Sequence, residues 1–135
     1  MNKSVISFTV KLPPVSKKNS QQIRWRYTGR LEKKPFIAPS EAYTNYEKAA
    51  LWQIPKLRSI RPINYPVNVK CLFYMPTRRI CDLPNMLNAI DDVMVKAGLL
   101  EDDNYKIIAG HDGSRILYDK NNPRTEVIIT KMEDG

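Results

Sequence analysis

Cysteine and histidine are scarce in this 135-residue chain, acidic residues are scarce in its first half, and long apolar runs are missing. Each scarcity removes a class of function. Two cysteines, Cys71 and Cys81, are too few for a disulfide framework and too sparse for a thiolate zinc site. The one histidine, His111, cannot anchor a histidine-based metal site alone, and its place in the loop Ala109-Gly110-His111-Asp112-Gly113-Ser114 predicts a solvent-facing side chain. Any metal here would therefore be a hard, oxygen-ligated one. No apolar run approaches the roughly 20 residues that span a bilayer, so no membrane partner is expected. The opening stretch MNKSVISFTVKLPP has one lysine, no long apolar region and no small-residue cleavage site. A secretory signal is not expected, and a cytoplasmic protein is.

What is present is charge, unevenly spread. Residues 1–81 carry 16 Lys/Arg and 3 Glu, a balance of +13; residues 82–135 carry 6 Lys/Arg and 11 Asp/Glu, a balance of −5. Solubility does not call for such asymmetry. A basic surface built from the first half suits a polyanion, and nucleic acid is the most economical partner. The alternative is a basic protein with scattered solvated charge. At 42% hydrophobic and 27% charged, the chain reads as one globular domain with a real core.

The pattern along the chain predicts an α+β fold, a small mixed β-sheet with two main helices. Val5–Leu12 alternates as a strand and is ended by Pro13-Pro14. Residues 15–38 read as a basic, mobile or ligand-ordered arm, with a short strand at Ile23–Tyr27 and a turn at Thr28-Gly29. Ser40 is a suitable N-cap for a helix over 40–54, ended by Pro55. Tyr65–Met75 reads as a strand entering the core. A second helix is expected over 84–97, with Pro84 in its first turn and Gly98 closing it. Its apolar face is Met86, Ile90, Val93, Met94 and Ala97; its polar face is Asn85, Asn88, Asp92 and Lys96. Strands at Tyr105–Gly110 and Thr125–Met132 complete the reading, with antiparallel pairing at the end.

Six of the chain's 14 acidic residues fall between Asp82 and Asp103: Asp82 alone, Asp91-Asp92 within the helical pattern, and Glu101-Asp102-Asp103 after it. A small acidic cluster in a basic protein suits a metal-dependent nuclease, because carboxylates hold Mg²⁺ while Lys/Arg hold the polyanion. A strand, helix and strand in succession can bring Asp82 and Asp103 together. Structural readings stand beside this one. Asp82 can be only a helix cap, Asp91 and Asp92 only a solvated helix face (the preferred reading for Asp91), and residues 101–104 only an acidic turn.

Asp82-Leu83-x-Asn85, a helix ending Lys96-Ala97-Gly98, and then Asp102-Asp103 resemble the signature of the RusA-type Holliday-junction resolvases. That family's pattern is D-x-D-N followed about 18 residues after the Asn by D-D. The likeness is best over 76–108 and looser at Pro13-Pro14 with Lys17-Lys18-Asn19 and at Ser40 to Tyr46. The resemblance implies a homodimeric, Mg²⁺-dependent endonuclease, with Mn²⁺ as a substitute and no small-molecule cofactor. Such enzymes nick four-way DNA junctions symmetrically, leave 5′-phosphates, and are common in phages and prophages. By position it implies that Asp82 and Asp103 are catalytic metal ligands, with Asp102 an acidic neighbour and Asn85 the motif Asn.

Two positions depart from the family pattern: Pro84 replaces a carboxylate, and Asn88 replaces a lysine. Asp92, two helical turns past Asn85, is the expected substitute carboxylate, and Lys96 or Lys106 the substitute cation. Arg78 and Arg79 are placed to grip the backbone beside the scissile phosphate. Lys17, Lys18, Asn19, Arg24, Arg26 and Arg30, with Trp25 and Tyr27 among them, would contact phosphates or stack on bases. For Trp25 core packing is an equal alternative. Two other functions remain open on these residues: a junction binder that does not cut, and a flap or branched-DNA nuclease.

Overall fold

The structure is a computed structural model, and it describes residues 3–16, 22–27, 33–38, 41–55 and 61–132. The described residues form, in order, β1 (Lys3–Val10), β2 (Gln22–Tyr27), β3 (Lys33–Ala38), α1 (Glu41–Leu51), β4 (Val67–Met75), α2 (Leu83–Lys96), β5 (Ile108–Gly110), β6 (Arg115–Tyr118) and β7 (Arg124–Lys131). The α+β expectation holds. The main sheet has five strands in the order β1-β7-β4, with β5 and β6 both along the far edge of β4. β7 pairs antiparallel with β1 and with β4, while β5 and β6 pair parallel to β4. β2 and β3 form a separate antiparallel pair.

Local chemistry explains most boundaries. Val67, Val69, Cys71 and Phe73 alternate inward along β4, and Thr125, Val127 and Ile129 do so along β7. This period of two makes one face of the sheet apolar. Met86, Ala89, Ile90, Val93 and Met94 of α2 and Tyr43, Tyr46 and Ala50 of α1 are buried with it. Truncating Phe73 to Ala would cost about 3–5 kcal/mol, the usual range for a large buried ring. Gly98 takes φ +78°, and the Gly98 and Leu99 amides donate to the Val95 and Met94 carbonyls. These two bonds form a Schellman closure, which explains why a glycine ends α2.

Several expectations need correction. β3 and β6 were not visible in the sequence pattern, and the fifth strand is only Ile108–Gly110 rather than 105–110. There the Asn104 carbonyl accepts from both the Ile107 and Ile108 amides, so a turn occupies the first half. The fourth strand starts at Val67, just past Pro66, rather than at Tyr65. α1 ends at Leu51, before Pro55, and α2 starts at Leu83. Ser40 and the Thr28-Gly29 turn lie outside the described residues.

Candidate active site

The loop after β4 leads to Asp82, the N-cap of α2. Its backbone is extended (φ −95°, ψ 126°), yet its side chain makes no capping bond. Pro84 stands where one of the usual partner amides would be and has no N–H to offer. The carboxylate instead accepts a 3.3 Å hydrogen bond from the side-chain Nδ2 of Asn85 and remains exposed. Asp82 is therefore not spent on capping. It lines a cleft of about 520 Å³ together with Pro14, Ser16, Thr77, Arg79 and Met86. Arg79 is exposed there, while the Arg78 guanidinium lies 4.2 Å over the Tyr118 ring. Lys17, Lys18, Asn19 and Arg30 lie outside the described residues. Arg24 and Arg26 fall on β2, and their side chains also lie outside what is described.

The other acidic group lies beyond the far end of α2. Asp102, Asp103 and Lys106 are exposed. Asp102 accepts from the Asp103 amide at 2.7 Å and from the Asn104 side chain at 3.1 Å, and these bonds hold its carboxyl below the usual carboxylate range. The segment is tied to the beginning of β4: the Glu101 amide donates to the Ile63 carbonyl, and the Val67 amide donates to the Ile107 carbonyl. The loop to Asp82, by contrast, leaves the end of β4. Fourteen residues of α2 at about 1.5 Å each put roughly 20 Å between its two ends. Asp82 directly precedes this helix, and Asp103 follows it by seven residues, in the segment tied to the beginning of β4. Among the described residues no three carboxylate, histidine or cysteine side chains gather as metal ligands in a single chain.

Asp92 faces α1. It accepts a 3.0 Å hydrogen bond from the Tyr43 hydroxyl and lies 3.3 Å from Lys96, whose ammonium also reaches Glu47 at 2.8 Å. Burial and the Asp92 charge together push the Tyr43 hydroxyl far above its ordinary pKa, and the Glu47 bond raises Lys96. Lys96 is accordingly held in two ion pairs, whereas Lys106 is exposed.

Two residues read as solvated in the sequence are wholly or partly buried instead. Asp91 is only 4% exposed, and its Oδ2 lies 2.9 Å from Nε2 of His111. Its Oδ1 is buried without a hydrogen-bond partner. Burial raises the Asp91 carboxyl, the His111 bond opposes that, and the nearby negative charge of Asp103 raises it further. His111 is half-buried rather than solvent-facing. The turn that carries it is fastened to β4. The Asn68 side chain donates to the Asp112 carbonyl at 3.1 Å and accepts from the Asp112 amide at 2.8 Å, and the Ser114 hydroxyl accepts from the Cys71 amide at 2.9 Å. A signal for Asp91 did exist. At 100° per residue it lies about 60° from Met94, at the rim of the apolar arc of α2. No comparable signal marked His111, because its contact depends on the crossover from α2 to β5.

No family model matches the chain. Part of it is similar to the crossover junction endodeoxyribonuclease RusA of Aquifex aeolicus, at 38% identity over 61 residues, which is 45% of this chain and 48% of that relative. The likeness thus covers about half the length of each protein, and over that stretch this chain is similar to a curated crossover junction endonuclease.

Proposed function

We propose that the protein is a divalent-metal-dependent endonuclease that cuts branched DNA, four-way junctions foremost, and works as a homodimer. The observation that carries the reading is Asp82: an exposed carboxylate, not used as a cap, at the mouth of a cleft with Arg79 in its wall. The partial likeness to a crossover junction endonuclease supports it. The donor set fits Mg²⁺, since Asp82, Asp102 and Asp103 offer only oxygen, and Mg²⁺ is commonly held by one or two carboxylates plus water and substrate phosphate. Bound there, such a cation would neutralise charge building on the phosphate.

The chain's own residues would do the rest. Arg79, Lys106 and the basic first half, including Lys17, Lys18, Arg24 and Arg26, would hold the DNA backbone. α2 stands between Asp82 and Asp103 along the chain, and in this reading a site using both takes Asp82 from one protomer and Asp103 from its partner. An antiparallel pairing of two protomers about a two-fold axis would make two such sites, one for each opposed strand of a junction.

Pro84 in the first turn of α2 and the exposed Asn88 favour a second reading, a protein that binds junctions without cutting them. Cleavage of a mobile four-way junction and of a linear duplex, with and without Mg²⁺, by the wild type and Asp103→Asn separates the two. Paired nicks that need Mg²⁺ and vanish in the variant establish the nuclease. Tight binding with no nicking under Mg²⁺ or Mn²⁺ establishes the binder.

A further inference from the structure

Resting on the nuclease reading, we propose that His111 is the base that takes the proton from the attacking water, and that Asp91 is the positioning residue that readies it. A carboxylate can only accept, so the 2.9 Å contact makes Nε2 of His111 the protonated nitrogen. In a neutral ring the lone pair then sits on Nδ1, which has no hydrogen-bond partner among the described residues. This is the arrangement of an oriented base: a buried carboxylate fixes the tautomer and the ring angle, and the opposite nitrogen is left to accept.

Asp91 is well built for that task. It is almost wholly buried on α2, and the turn bearing His111 is hydrogen-bonded to β4 on both sides of Gly113, whose φ is +87°. The Asn68–Asp112 and Ser114–Cys71 contacts hold the backbone that carries the ring, and the Asp91 carboxylate holds the ring itself. Its location also suits the role. The charge of Asp103 is felt at Asp91, the carboxylate that His111 reaches. Unlike Asp91, His111 is reachable, with 26% of its side chain exposed. Pro84 supplies no carboxylate to activate water, and an imidazole held by Asp91 offers a different means.

The step balances with water as the sole co-reactant. The water oxygen bonds to phosphorus while one water proton passes to Nδ1 of His111. The bond from phosphorus to the 3′ oxygen breaks, leaving a 5′-phosphate. The 3′ oxygen takes a proton from solvent, and His111 returns its extra proton to solvent.

Because the chain has one histidine, its ring nitrogens can be followed without ambiguity by ¹⁵N magnetic resonance of the full-length protein. The expected spectrum near neutral pH shows hydrogen on Nε2 and a bare Nδ1, and Asp91→Asn alters that tautomer balance. His111→Gln keeps a donor for Asp91 but no base. It is expected to fold, to bind junction DNA as the wild type does, and to cut about 100-fold or more slowly. His111→Ala is expected to be similarly slow and to regain rate when imidazole is added. Hydrogen on Nδ1 in the wild type, a His111→Gln rate within a few-fold of wild type, or a slow His111→Ala that imidazole does not help would each overturn the proposal. If the wild type cuts junctions and His111→Gln cuts equally well, only the base falls. If the wild type cuts no DNA with Mg²⁺ or Mn²⁺, the nuclease reading falls and the base with it.

Discussion

The Tyr43 hydroxyl donates a 3.0 Å hydrogen bond to the carboxylate of Asp92, joining α1 to α2 across 49 positions of sequence. Lys96 closes the same joint from Glu47 to Asp92. This carboxylate was the expected substitute for the one missing at Pro84, yet its bonds point to α1. Tyr43→Phe and Asp92→Asn are each expected to lower stability by about 1.5–3 kcal/mol, the range for a hydrogen bond to a charged group, while cleavage per folded molecule stays near wild type. Chemical denaturation together with a junction-cleavage assay checks both halves. Loss of cutting in a fully folded Asp92→Asn would return Asp92 to the active site.

A site shared between protomers makes a prediction that a single-chain site does not. Asp82→Asn and Asp103→Asn proteins are each expected to be inactive. Mixed under conditions that allow protomers to exchange, they form heterodimers in which one site carries both lesions and the other carries none. Nicking of one junction strand should therefore return. If both ligands came from the same chain, every site in the mixture would carry one lesion and no activity would appear.

Asp91 sets a pH dependence whose sign can be worked out. Its folded pKa lies above the ordinary value of 3.8, chiefly through burial. Between those two values the folded state binds more protons than the unfolded state, so this residue's contribution to stability falls as pH rises through that window. Below the window the contribution is neutral, and above it the ionised, buried carboxylate is a cost that His111 partly offsets. The difference in melting temperature between Asp91→Asn and wild type is expected to grow in the variant's favour as pH rises from about 3.8. A constant difference across that range would contradict the assignment.

The two cysteines should report on the cleft. Cys71 is fully buried and its thiol is pushed well above its ordinary pKa by burial. Cys81 is partly exposed, lines the cleft beside Asp82, and is raised more modestly by burial and that neighbouring charge. A thiol reagent is expected to label Cys81 slowly in the folded protein and Cys71 only on unfolding. Junction DNA should protect Cys81. Labelling that is indifferent to DNA would move the substrate away from this cleft.

Legibility differed from element to element. Both helices and the strands β1, β4 and β7 could be read because each carries its own period and its own terminator, such as Pro13-Pro14 after β1 or Gly98 after α2. β6 could not, because four residues with half-exposed side chains show no pattern until they are paired with Leu72–Met75. Asp82 and Asn85 were visible as a motif. Asp91 was misread because a helical wheel shows its angle at the rim of the apolar arc but not what packs there.

The sequence by itself determined an α+β fold and a basic first half set against an acidic second half. Those properties live in local period and composition, which need no neighbours. Only the tertiary structure decided which carboxylates stand together. The packing of α2 turns Asp92 toward Tyr43 and buries Asp91 against His111. Such pairings are set by the path of the backbone through space, so no spacing along the chain could have announced them.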